Sequence, residues 1–232
     1  IPLRVPYRHE PIPVETDEGP PSETELRRTA VLSRYTNYGF EKVERLPGNV
    51  GYLDLRKFSG DPEGQATAVA AMNFLSNTDA LIVDLRRNGG GNPMMIATIL
   101  TYFTKPDDRL QFNTFYMRES GETNQYWTSP YVPGPRYVGR PVYVLISNRT
   151  ASAAEEFAYD VQTHKLGTVV GSVSAGGANP GGMYRLSENF AAFIATGRAI
   201  NPVTKSNWEG VGVKPDSLTT GGGALRAAYT MA

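Results

Sequence analysis

Cysteine is missing from all 232 residues, which excludes disulfide staples, thiolate metal centres and cysteine nucleophiles. Histidine is scarce: His9 and His164 stand far apart and give no spacing suited to a metal ion. Net charge is missing too. The 23 basic and 23 acidic residues cancel, and no basic stripe breaks the balance, so nothing electrostatic argues for nucleic acid or an anionic membrane. No apolar run reaches the roughly 18 residues of a transmembrane helix. The opening Ile1-Pro2-Leu3-Arg4 is not a signal peptide, so a cleaved targeting segment would lie before this numbering. No repeat is found, and low complexity is confined to Gly221-Gly222-Gly223. No cofactor or metal is expected.

What is present is an ordinary globular mixture, 40% hydrophobic and 20% charged, enough for one large domain with an arm. Residues 1–21 hold six prolines and read as that arm, because such a density forbids a helix or a central strand. Ser22-Glu23-Thr24-Glu25 then looks like a helix start, a hydroxyl cap followed by acids, with the helix running to about Tyr38 and Gly39 as its stop.

From Phe40 onward strands and helices alternate. Strands are expected at 50–55, 80–85, 141–147 and 168–171, and a β-hairpin from 110–117 and 122–128. Helices are expected at 66–75, 93–103, 151–163 and 224–231, with Pro93 suited to a first turn. This alternation predicts an α/β core with partly parallel pairing.

Four segments carry possible chemistry. The strand ending at Ser147 leads through Arg149-Thr150-Ala151 to Ser152 at a helix start. Unpaired amides and the helix dipole there can stabilise an oxyanion beside a nucleophilic hydroxyl, although the same position suits a plain cap. Asp84-Leu85-Arg86-Arg87-Asn88-Gly89-Gly90-Gly91 runs a buried strand into three glycines whose amides can point at a carbonyl oxygen, or simply turn the chain. No Gly-Lys-Ser/Thr ends it, so it is not a phosphate loop. A glycine-rich stretch from Val170 to Gly182 suits a wall around an extended ligand or a flexible connection. Finally, Glu209 in Asn207-Trp208-Glu209-Gly210-Val211-Gly212 either orients a base or sits in a salt bridge. His164 lies at the far end of the Ser152 helix, on the order of 18 Å away, too far to act as its base within one subunit.

Together and in this order, the four segments resemble the S41 peptidase family of tail-specific (C-terminal processing) proteases and the tricorn core, especially its interphotoreceptor retinoid-binding-like branch. The resemblance spans roughly residues 37–232. It is carried by Asn37 to Phe40 with Gly48 to Leu53, by Ala80 to Gly90, by Thr150 to Phe157 and by Gly210 to Asp216. It implies a crotonase/ClpP-like ββα superhelix over 37–232, preceded by an arm and linker helix over 1–36.

The implied chemistry is hydrolysis of a polypeptide through an acyl-enzyme on Ser152, with amides of Gly89 or Gly90 and of Ala153 as the oxyanion hole. A periplasmic or extracellular location is implied as well. Two features depart from the family pattern. No lysine lies between Lys165 and Lys205, where tail-specific proteases carry their base. Glu209 matches the glutamate of tricorn-like members, but Pro2 precedes Leu3-Arg4-Val5 where their histidine would stand, so either the base is lost, or His9 substitutes, or the chain starts inside a longer protein. A catalytically impaired module binding a peptide or an apolar ligand is the alternative expectation.

Overall fold

The fold was obtained as a computed structural model, which describes residues 22–220 and 222–232. The proline-rich arm, His9 and Leu3-Arg4-Val5 lie outside the described residues. Helix α1 (Glu23–Tyr35) opens as its composition dictates, with Ser22 and Glu25 in reciprocal cap bonds of 2.8 and 3.3 Å. It stops short of Tyr38 because Asn37 and Tyr38 take positive φ values of 46° and 55°. Gly39 turns the chain into the core, where an added Cβ would meet the Lys57 carbonyl oxygen.

The core sheet has six strands in the order β1 (Phe40–Leu46), β2 (Val50–Leu55), β3 (Ala80–Asp84), β6 (Val142–Ile146), β7 (Thr168–Gly171) and β11 (Ser217–Leu218). Only the β1–β2 pair is antiparallel. Because side chains alternate along a strand, β3 and β6 feed both faces. Leu81, Val83, Val142 and Val144 pack under α2 (Pro62–Leu75), α3 (Pro93–Phe103) and α4 (Ala153–Thr163). Ile82, Tyr143, Leu145 and Val170 pack under α5 (Gly223–Met231). Each such fully buried aliphatic side chain contributes about 1.5–3 kcal/mol. The chain is thus α/β, as expected, with helices on both faces of a largely parallel sheet.

The expected hairpin forms from β4 (Gln111–Met117) and β5 (Thr123–Trp127), and β10 (Gly197–Ile200) adds to β4 as a third strand. A separate hairpin joins β8 (Gly181–Arg185) to β9 (Ala191–Ala195). α2 begins earlier than its apolar pattern suggested, since Pro62 fits its first turn. α4 begins at Ala153, leaving Ser152 as its cap residue.

Candidate active site

β3 and β6 are parallel neighbours, so their C-terminal turns emerge side by side at the edge where open α/β sheets bind ligands. Hydrogen bonds lock the two turns together. Thr150 Oγ1 donates to the Leu85 carbonyl at 2.8 Å, Ser147 Oγ to Arg86 O at 2.7 Å, and Ala151 N–H to Asn88 O at 3.1 Å. Asn88 is fully buried and gives its Nδ2 to Leu55 O at 3.0 Å, anchoring the glycine turn to β2.

Within this frame Ser152 adopts φ 55° and ψ −126°, a conformation costly for a non-glycine residue. The surrounding bonds over-determine it. Ser152 N–H donates to Glu155 Oε2 at 2.8 Å, and its carbonyl accepts from Glu155 and Glu156 N–H. Its side chain is exposed on the wall of a cavity of about 420 Å³, a volume typical of ligand sites. Gly91, Ala153, Glu156, Asn179 and Trp208 line the same cavity, with Phe115, Tyr126 and Phe193 from the hairpins.

Gly90 lies against the serine. With φ 108°, it leaves only 2.8 Å between an added Cβ and Ser152 Cβ, so no larger residue fits. Its N–H is engaged by Asn88 Oδ1 at 2.8 Å. Gly89 is exposed beside it. In the first turn of α4, the amides of Ala154, Glu155 and Glu156 bond the carbonyls of Ala151 and Ser152, whereas Ala153 N–H finds no acceptor among the described residues.

Glu209 is not among the residues that line the cavity. Its Oε2 accepts the N–H groups of Ala178 and Asn179, both at 2.8 Å, and so shapes the glycine-rich loop over the cavity. His164 caps the far end of α4, where burial pushes its imidazole pKa down and Nε2 has no partner among the described residues. Neither histidine nor lysine lines the cavity among the described residues.

Two adjacent glutamates escaped the sequence reading as site residues. Glu155, fully buried, gathers four donors: Ser174 Oγ and Gly176 N–H on Oε1, both at 2.6 Å, and Ser152 and Gly177 N–H on Oε2, at 2.8 and 2.9 Å. It ties the nucleophile turn to the glycine-rich loop. Glu156 faces the other way, toward the cavity and β4, where Asn113 Nδ2 donates to its Oε1 at 2.8 Å. Burial pushes its carboxyl up to about 7, only partly offset by that bond. The sole sequence signal was the acidic first turn of α4, which a simple helix-dipole effect also explains.

Known proteins match this arrangement. The model of peptidase family S41 matches residues 49–219. The chloroplastic carboxyl-terminal-processing peptidase 1 of Arabidopsis thaliana is 24% identical over 200 residues, covering 85% of this chain and 39% of that protein. The carboxy-terminal-processing protease of Bartonella bacilliformis is 26% identical over 176 residues, covering 74% of this chain and 39% of that protein. The chain therefore spans about two fifths of the length of these relatives. Among solved structures, a photosystem II D1 C-terminal processing protease superposes with a TM-score of 0.59 at 24% identity, over 75% of this chain and 44% of that one. Mature CPAF gives 0.59 at 17% identity, over 78% and 49%. The family match covers most of the chain and both turns that meet at Ser152; the chain belongs to peptidase family S41.

Proposed function

We propose that this chain is the catalytic domain of a serine-type endopeptidase, with Ser152 as the nucleophile that forms the acyl-enzyme. The observation that carries this reading is the backbone of Ser152, held at φ 55° and ψ −126° on the wall of a cavity at the C-terminal edge of the sheet. Such a conformation costs roughly 1–3 kcal/mol and persists where it serves a site. A plain helix cap would not need it.

In this mechanism a polypeptide lies across the cavity and Ser152 Oγ attacks the scissile carbonyl; the C–N bond breaks, the hydroxyl proton ends on the departing amine, and water then hydrolyses the Ser152 ester to release the acid. The developing oxyanion is met by Ala153 N–H, from the positive end of α4, and by Gly89 N–H. Gly90 keeps the two turns in close contact rather than donating, because Asn88 already occupies its amide. Glu209 acts at one remove by holding the loop at Ala178 and Asn179. A processing role fits the names of the relatives, and a periplasmic or extracellular location is proposed with it.

Fluorophosphonate labelling of the full-length protein at neutral pH tests this. An adduct mapped to Ser152, absent in Ser152→Ala, is the expected result, since the reagent requires an activated hydroxyl. Failure to label Ser152 in folded protein would overturn the reading and leave a module that binds peptide without turnover.

A further inference from the structure

Glu156 and Asp160 stand one turn apart on α4, 4% and 1% exposed. Asn113 and Asn201 each give one of them a single donor, at 2.8 and 3.0 Å. Asp160 Oδ2 is buried without a partner among the described residues. Among the described residues, no lysine, arginine or histidine pairs with either carboxyl. Burial lifts the Asp160 carboxyl well above the ordinary range, and the charge of Glu156 lifts it further.

The same sheet shows the usual solution for a buried acid. Asp84 is 3% exposed, and burial works to raise its carboxyl. Two guanidinium bonds from Arg86, at 2.9 and 2.6 Å, and one from Tyr52, at 2.8 Å, outweigh burial and hold it below the ordinary range. Buried acids are kept where a cation pairs with them. The Glu156 pair lacks that cation within the described chain, yet Glu156 lines the cavity that contains Ser152.

We propose that Glu156 is a specificity-determining residue, whose carboxyl receives the cationic tip of a lysine or arginine side chain from a polypeptide bound beside Ser152. The walls suit the rest of such a side chain. Phe115, Tyr126, Phe193 and Trp208 offer apolar and aromatic surface to its methylene stem, and the acid waits behind them. Asn113 is already oriented for this. Its Oδ1 accepts the Thr114 and Ile200 amides, at 2.7 and 3.2 Å, so its Nδ2 must point at Glu156 Oε1 and leaves Oε2 to the ligand. With Asp160 behind it, the empty site keeps a proton, and the incoming cation replaces that proton.

The inference rests on the reading of the cavity as a polypeptide site, and its test separates the two. Matched peptides with Lys, Arg, Leu or Gln at one position are titrated by fluorescence anisotropy onto Ser152→Ala protein, which needs no turnover. The expected result is preference for Lys and Arg, with Glu156→Gln weakening those two by roughly thirty-fold or more and the Leu and Gln peptides hardly at all. The same split in kcat/KM is expected with active protein. Two results would overturn the inference: no preference for cationic peptides in the parent protein, or equal loss on every peptide in Glu156→Gln, which would mark a structural or base role. If Ser152 resists labelling while the cationic preference stands, only the hydrolytic reading fails.

Discussion

Glu155 and Glu156 are neighbours in sequence, both buried at the head of α4, and they live in opposite surroundings. Successive helical residues are turned by about 100°, so one carboxyl enters the loop at 174–177 and the other enters the space between α4 and β4. The first meets four donors. The second meets one donor and another acid. The difference separates two tasks around one cavity. A fully satisfied carboxylate is a structural clamp, rigid because each lone pair is committed. An under-satisfied one is costly to keep and is retained where something else supplies what it lacks.

The sharpest way to break the comparison is to remove the clamp. Glu155→Ala strands four donors between the nucleophile turn and the glycine-rich loop. At roughly 1–3 kcal/mol per stranded buried donor, with partial rehydration, the expected loss is about 3–5 kcal/mol of unfolding free energy. Urea melts measure it. A loss below about 1 kcal/mol would show that the four bonds do not act as a unit.

On the other side of the helix, substitution should stabilise. A carboxyl whose pKa is raised on folding gives full stability below its unfolded value and loses it as pH climbs through the folded value. For Glu156 that window runs from 4.5 to about 7. Asp160 shifts in the same direction, and the other groups near the pair, Asn113, Asn201 and Tyr126, bring no positive charge. Asp160→Asn keeps the acceptor for Asn201 and presents an N–H₂ group where Oδ2 has no partner among the described residues. We expect it to gain on the order of 1–2 kcal/mol at about pH 8, to change little at about pH 4, and so to flatten the alkaline decline. Thermal melts across that range decide it. A variant less stable than the parent at alkaline pH would show that the pair is not held protonated.

Much of this site was legible in the residues, and the illegible part has a physical cause. A strand, a short turn and a helix start follow one another within a few positions at 80–93 and 142–153, with glycines in the first turn only, so local pattern places both turns and Ser152. Pro93 marks the start of α3, and the β4–β5 hairpin forms as expected. The strand β1 was not read. Its apolar residues, Phe40, Val43 and Leu46, recur every third position between pairs of charged residues, which is not the period-two pattern of a strand, and only its pairing with β2 decides. Glu155 and Glu156 could not be told apart, because their partners lie far along the chain. Gly176 and Gly177 are 21 and 22 residues from Glu155, and Asn113 is 43 from Glu156. The engagement of the Gly90 amide by Asn88 was likewise hidden, although only two residues separate them, because it depends on a side-chain rotamer.

The smallest expected effect lies at the other end of α4, and it extends the comparison from acids to a base. Burial pushes the His164 imidazole pKa down, the opposite direction from Glu156, because its charged form is the cation. A depressed group gives its stability above the unfolded value of 6.5 and loses it as pH falls below that. One helix therefore carries an alkaline penalty at its head and an acid penalty at its tail, with greatest stability between them. His164→Gln should change stability by less than about 0.5 kcal/mol at neutral pH and reduce the loss on acidification. Melts of the parent, Asp160→Asn and His164→Gln on one pH axis would separate the limbs. If His164→Gln altered the alkaline limb instead, the two ends of α4 would be coupled, and the acid pair would no longer be a local device of the Ser152 cavity.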